Sequence, residues 1–236
     1  MDIEQKRMGD QGLLFLIDPT LRSQVEARMR TVRAPRGRTI FSVGAHATDV
    51  MFVVEGEVQV LLYSNNGREV SVRDLGPGSI LGELAALDGK PRSASVVAAS
   101  DVRLRMMTRE DFMACVESSP VAALWLARRL ALEVRRLTER VFELSALNVQ
   151  ARLHCELLRM ARGDGAVATR IPRAPTHAEL ANRIGTHREA VTREMRSLAQ
   201  MNIIRNHRRS LEFLDIPELE RAVFRAVGQS VEAHPA

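Results

Sequence analysis

The chain reads as an α+β protein in three parts: an N-terminal antiparallel β jelly roll, one long helix, and a C-terminal winged helix-turn-helix. Three observations predict this. Residues 37–107 alternate short β-rich runs with glycine-containing turns, the pattern of many antiparallel strands. Residues 127–144 carry apolar side chains at spacings of 3, 4, 3, 4 and 3, a helical seam. From residue 176 a capping sequence opens one helix, a glycine ends it, and an arginine-rich second helix leads into two short β-rich runs.

With 236 residues the chain has room for two modest domains. One Trp, one Tyr and seven Phe mean that their cores are aliphatic. The net charge is +5, and the basic residues are almost all arginine, Lys6 and Lys90 being the lysines. Residues 150–236 hold 14 arginines against 10 acids, while residues 1–149 hold 20 basic residues against 19 acids. A basic excess at one end suggests a polyanion partner for that end. Cys115 and Cys155 stand alone in apolar helical contexts and read as small buried hydrophobes in a reducing compartment. The start lacks an apolar h-region and the chain has no run of ~18 apolar residues. Neither a signal peptide nor a membrane span is expected, and the expected location is cytoplasmic.

Along the chain, residues 10–32 read as short helices, with Leu13, Leu14, Ile17, Leu21 and Val25 as their apolar face. Strands are expected at Thr39–Phe41, Val50–Val54, Val58–Tyr63, Glu69–Leu75, Ser93–Ala98 and Val102–Met107. Turn residues separate them at Glu55-Gly56, Asn65-Asn66-Gly67 and Gly76-Pro77-Gly78. Thr108 reads as an N-cap with acids in the first turn behind it. After Pro120 comes the longest helical pattern, to about Leu147, with Ala127, Leu130, Val134, Leu137, Val141 and Leu144 as its seam. Charged residues flank that narrow stripe, which favours a parallel dimer over packing along its own domain. Asn148 suits the N-cap of a new helix, Val149–Arg162, closed by Gly163, so a hinge is expected near 145–150. Residues 164–173 read as a loop or small hairpin, and Gly228–Ala236 as frayed. The expected boundaries are 1–119, 120–148 and 149–236.

Two segments carry chemistry. In residues 80–96, Gly82-Glu83-Leu84 opens a short apolar turn, and Arg92-Ser93 follows about ten residues later. Gly82 lets backbone approach a phosphate, and the turn near Leu84 aims unsatisfied N–H groups at an anion. Arg92 offers a planar fork of donors and Ser93 a hydroxyl. Phosphate repels Glu83, so its carboxylate suits a sugar hydroxyl instead. In the other segment, Thr176-His-Ala-Glu179 matches a capping box, Gly185 supplies the turn, and a second helix runs from about His187 to Met201. Val191, Met195 and Leu198 share its apolar face. Arg188, Glu189, Thr192, Arg193 and Arg196 fill an arc of about 140° opposite. Arginine suits guanine and glutamate suits a cytosine amino group. Thr186–Glu189 also fits a capping box, so Glu189 is either a base contact or a cap. The strands around Asn206-His-Arg-Arg209 form a basic wing, with Arg208 and Arg209, like Arg196, assigned to phosphate.

The order of cassette, long helix, hinge and winged helix-turn-helix resembles the cyclic AMP receptor protein/FNR family of bacterial transcription regulators, over residues 35–215. The motifs are Gly82-Glu83-Leu84, Arg92-Ser93-Ala94, residues 144–153, and Gly185 through Arg193. The resemblance implies a homodimer on a pseudo-palindromic DNA site, RNA polymerase as a further partner, and cyclic AMP or cyclic GMP as allosteric effector rather than prosthetic group. Gly82, Leu84, Arg92 and Ser93 then hold the cyclic phosphate, Glu83 takes the ribose hydroxyl, and Arg188, Glu189 and Arg193 match the family's base readers. The family's adenine-contacting Thr-Ser pair falls on Leu137 and Thr138, of which Thr138 alone can hydrogen-bond a purine. The aspartate of the family hinge is Asn148 here. An iron–sulfur cluster needs about four cysteines, and two are present. The six histidines form no metal-spaced set. Catalytic motifs are absent, so an enzyme is not expected. The alternatives are a family regulator with another effector or none, and a regulatory subunit of an enzyme.

Overall fold

The computed structural model describes residues 10–63, 69–162, 168–208 and 210–232. The chain forms two compact units, residues 1–133 and 134–236.

The described part of the first unit begins with helices α1 (Asp10–Phe15) and α2 (Pro19–Arg28). The Asp18 carboxylate caps α2, accepting from the Thr20 and Leu21 amides. Among the described residues eight strands follow: β1 (Arg30–Ala34), β2 (Thr39–Phe41), β3 (Val50–Glu55), β4 (Val58–Tyr63), β5 (Glu69–Leu75), β6 (Ile80–Leu81), β7 (Ser95–Ala98) and β8 (Val102–Met107). They make two four-stranded antiparallel sheets, ordered β1-β8-β3-β6 and β2-β7-β4-β5. Helix α3 (Glu83–Asp88) lies between β6 and β7 in sequence, and α4 (Arg109–Glu117) follows β8. Thr108 caps α4 through the Asp111 amide, as its sequence predicts.

Strand β3 explains how one apolar run serves two cores. Alternate residues of a strand point to opposite faces. Met51 and Val53 pack into the core made by both sheets, with Val58, Val96 and Leu104. Val50 and Phe52 pack on the other side against helical residues, including Leu13, Phe112 and Trp125. Burial on both faces is why Val50–Val54 is continuously apolar rather than alternating. Complete burial of Phe52 contributes about 1.5–3 kcal/mol.

The long helix α5 spans Pro120–Ala146. Ala122, Trp125 and Leu126 are buried in the first unit's helical core. Farther along, Val134 and Val141 are 62% and 64% exposed, and Leu137 and Leu144 are exposed as well. The seam is thus bare from Val134 to Leu144 in the single chain, while Leu130 packs against the first unit's core.

In the second unit, α6 (Val149–Arg162) starts where the Asn148 side chain accepts from the Ala151 amide at 2.9 Å. The expected stop at Gly163 lies outside the described residues. Helices α7 (His177–Ile184) and α8 (Arg188–Gln200) precede the hairpin β10 (Ile204–Asn206) and β11 (Leu211–Phe213). Strand β9 (Arg170–Ile171) completes that sheet, in the order β10-β11-β9. Leu153, Leu157, Leu180, Ile184, Val191 and Leu198 share the unit's core. Beside it lies a buried ionic cluster. Glu143 on α5 accepts from Arg140 at 2.8 Å and from Arg159 on α6 at 2.6 Å. Glu156 accepts from Arg183 on α7 at 3.2 Å and also pairs with Arg159. Glu143 and Glu156 are its buried members and Arg159 is exposed, so losing one ion pair costs less than the ~3–5 kcal/mol of a fully buried pair. The cluster therefore ties the end of α5 to α6 and α7.

Three features differ from what the sequence led one to expect. Residues 30–32, expected to be helical, belong to β1, which pairs with β8 from Arg30↔Met106 to Ala34↔Val102. Sheet pairing decided that segment, whose Thr31 and Val32 are β-branched and crowd a helix at χ1. The two-residue strand β6 was too short to leave a periodic signal. The third concerns the C-terminal end, where a helix α9 (Ile216–Glu232) forms. Asp215 accepts from the Glu218 amide at its start, and Leu219 is fully buried. It continues past Gly228, where fraying was expected, and 233–236 lie outside the described residues. Cys115 is buried and Cys155 half-buried; burial pushes both thiols up to about 11, the state of inert small side chains.

Candidate effector and nucleic-acid sites

Gly82 sits at the N-cap of α3 with φ +83°, in the left-handed region that disfavours a side chain. Space forbids one as well. A Cβ there would stand 2.1 Å from Nη1 of Arg92 and 2.8 Å from the Asp49 carbonyl oxygen. The reason is that Arg92 folds directly beneath this turn. Its Nη1 donates to the Gly82 carbonyl at 3.0 Å and its Nη2 to the Asp49 carbonyl at 2.7 Å. The guanidinium lies 4.4 Å from the centre of the Phe41 ring. Arg92 is 3% exposed, and its Nε–H has no partner among the described residues. Burial lowers its pKa, against the pull of Asp49 and Glu83. A buried guanidinium held by neutral carbonyls, with a donor unused, has the chemistry to bind an anion.

Glu83 is half-buried, and its burial raises its pKa against the opposing effect of Arg129 and Arg73. Arg129 lies 5.2 Å from the Trp125 ring centre, and Arg73 is ion-paired with Glu133. Leu84 and Ser93 are exposed. The structure therefore brings Gly82, Glu83, Leu84, Arg92 and Ser93 onto one turn-and-loop cassette. Thr138 belongs to the other unit, where its hydroxyl donates to the Val134 carbonyl one turn back at 2.9 Å. Phe41, the Asp49 carbonyl and Arg73 were not singled out in the sequence, and Arg129 and Glu133 stood out there only as charges flanking the seam. No local pattern links them to the cassette, since they reach it only through folding.

In the second unit, the Thr176 side chain accepts from the Glu179 amide while Glu179 accepts from the Thr176 amide, completing the capping box. Gly185 takes φ +66°, the left-handed turn between the helices. Val191, Met195 and Leu198 are buried, and Arg188, Glu189, Arg193 and Arg196 are exposed. Helix α8 begins at Arg188 with His187 as its N-cap, which makes no side-chain cap bond. The helix thus starts one residue later than a box from Thr186 to Glu189 requires. Thr192 is half-buried. Its hydroxyl donates to the Arg188 carbonyl at 2.9 Å and stands 2.8 Å from Nδ1 of His177. Farther along α8, Glu194 accepts from Gln150 at 3.0 Å and meets Nε2 of the buried His154 at 2.8 Å, both on α6.

The wing turns where the His207 amide donates to the Ser210 carbonyl at 2.9 Å. Arg205 and His207 both reach Glu212, Arg208 is exposed, and Arg209 lies outside the described residues. Arg170, Pro172, His207, Arg208 and Ser210 line a groove of about 460 Å³. Arg170, which donates to the Ser210 hydroxyl at 3.1 Å, joins the wing through the pairing of β9 with β11; its place in a short strand gave no signal in the sequence. Among the described residues no three His, Cys, Asp or Glu side chains group as metal ligands, and no helix is long and apolar enough to cross a membrane.

Residues 31–119 match the model of the cyclic nucleotide-binding domain, and residues 151–222 that of the Crp-like helix-turn-helix domain. The chain is 34% identical over 193 residues to the cyclic AMP receptor protein of Thermus thermophilus, covering 80% of this chain and 86% of that one. The chain belongs to the cyclic AMP receptor protein/FNR family. A second member, the CRP-like cAMP-activated global transcriptional regulator of Mycobacterium tuberculosis, is 27% identical over 213 residues, with 89% and 95% of the two chains covered. The solved structure of FixK2 from Bradyrhizobium japonicum shares the fold, with a TM-score of 0.73 at 20% identity over 82% of this chain and 96% of that one. As a member of the family the protein is a DNA-binding transcription regulator with a cyclic-nucleotide-binding domain, and the family is one of regulators rather than enzymes.

Proposed function

We propose that the protein is a homodimeric regulator that binds a cyclic nucleotide, cyclic AMP or cyclic GMP, and then a pseudo-palindromic DNA site. The reading is carried by the buried Arg92 under the Gly82 turn, with its unpartnered Nε–H. Arg92, Ser93 and the backbone of Gly82 and Leu84 take the cyclic phosphate. Glu83 takes the ribose hydroxyl, and Thr138 takes the purine. The names of the relatives from Thermus and Mycobacterium favour cyclic AMP. The bare seam of α5 supports the dimer, and Asn148 the hinge between residues 120–148 and 149–236. The protein acts in the cytoplasm on double-stranded DNA, with RNA polymerase as its further partner. Calorimetry with cyclic AMP and with cyclic GMP tests the effector; a chain that binds neither removes this reading.

Cyclic-nucleotide binding is expected to depend on the ionised form of Glu83. The free carboxyl is raised above its ordinary 4.5 by burial, and a sugar hydroxyl donating to it favours the carboxylate. Affinity is therefore full above the raised pKa and falls as pH drops through it. Glu83→Gln should flatten that dependence; titrations over pH 4–7 in which both proteins weaken in parallel would remove Glu83 from the site.

For DNA, Arg188, Glu189 and Arg193 read bases, and Arg196, Arg208 and Arg209 hold phosphates. Two recognition helices related by a two-fold axis should read half-sites about 34 Å apart. Losing Arg188 or Arg193 should cost about 1–3 kcal/mol and relax preference at one base pair per half-site. Losing Arg208 should weaken all sequences alike and reduce the salt slope by about one unit. Selection from a random oligonucleotide pool separates the two groups; a non-palindromic consensus contradicts the assignment.

A further inference from the structure

We propose that Thr192 and His177 are positioning residues that fix where Arg188 stands, so that Thr192 serves specificity from inside the protein rather than by touching a base. The proposal rests on Arg188 as a base reader. The Thr192 oxygen lies 2.9 Å from the Arg188 carbonyl oxygen and 2.8 Å from Nδ1 of His177. Two oxygens at that separation need a hydrogen between them, and the carbonyl has none to offer. The single hydroxyl hydrogen of Thr192 therefore goes to Arg188. Its oxygen must then accept from His177, which carries the hydrogen on Nδ1. One threonine oxygen thus joins the first residue of α7 to the first turn of α8.

Val191 holds the core side of that first turn, while Arg188 stands on its exposed side. The N-cap residue His187 makes no side-chain cap bond, so Arg188 lacks the usual anchor of a helix start. The far part of α8 is anchored separately, by Glu194 to Gln150 and His154. His177 is itself held in place, since it follows Thr176 in the complete capping box of α7. Burial and the neighbouring Arg188 lower the His177 pKa, which favours the neutral ring. Protonation would leave the Nδ1–H in place, so the chain of bonds is not a pH switch. A bidentate arginine–guanine contact needs both donors in plane, so a shift of the first turn weakens it. Arg193 stands beside the anchored Glu194 and is spared.

The test compares full-length wild type, Thr192→Val, Thr192→Ser, His177→Asn and Arg188→Ala on half-site variants, with cyclic AMP and cyclic GMP in parallel. Valine keeps the shape of threonine and loses the hydroxyl. Thr192→Val should lose roughly tenfold of the preference at the base pair that Arg188 reads and keep the preference at Arg193's base pair. Thr192→Ser, and His177→Asn with its amide near the Nδ1 position, should restore most of it. Melting temperatures check that each variant is folded. If Arg188→Ala loses the preference and a folded Thr192→Val keeps it, or weakens every position alike, the positioning role is overturned while the base reading stands. If Arg188→Ala leaves the preference unchanged, the base reading fails and the positioning role with it.

Discussion

Arg92→Leu should lower cyclic-nucleotide affinity by more than 100-fold. A hydrogen bond to a charged group contributes about 1.5–3 kcal/mol, roughly 10–150-fold in affinity, and a guanidinium fork makes more than one. The structure adds a second effect. Arg92 also supplies the hydrogens for the Gly82 and Asp49 carbonyls, and leucine leaves both without them, at about 1–3 kcal/mol each where no water replaces the donor. The variant should therefore melt at a lower temperature as well as bind weakly. Arg92→Lys separates the two effects, because it keeps the charge and loses the planar fork. Calorimetry and thermal melting read both. A folded Arg92→Leu protein that binds cyclic nucleotide as the wild type does would remove the cassette as the effector site.

Val134→Glu with Val141→Glu should turn a dimer into monomers and remove specific DNA binding. Each valine is more than half exposed in the single chain, so the substitution costs the folded monomer little. In a paired seam the same residues face their counterparts across the two-fold axis, where four carboxylates would be buried against one another. A monomer offers one reader, and losing the linked second half-site should cost on the order of 100–10,000-fold in affinity. Light scattering and DNA titration measure the two consequences. A wild-type protein that is monomeric at micromolar concentration, or a double variant that stays dimeric, would overturn the seam.

The legible parts of the fold are those written locally. Thr108, Asn148 and the Thr176–Glu179 pair cap the helices their neighbours suggest, since a cap is a bond between residues a few positions apart. Residues 30–32 were misread because their partner β8 lies some 70 positions away in the sequence, and pairing at that distance leaves no local trace. Glu189 shows the limit of spacing alone: its spacing suits a box with Thr186 as N-cap, yet α8 starts at Arg188 with His187 as its N-cap.

Chemical identity and order were decided by the sequence itself: which residues form the cassette, where the long seam runs, and which arginines crown the second helix. These follow from short-range rules of turn, cap and periodicity that need no partner to be read. The commitments of those residues were decided by the tertiary structure. Arg92 is bound to the Asp49 carbonyl and stacked on Phe41, and Thr192 is bound to His177. Such contacts join segments far apart in the chain, and burial makes each one matter, because a polar group removed from water must find its partner wherever the fold brings one.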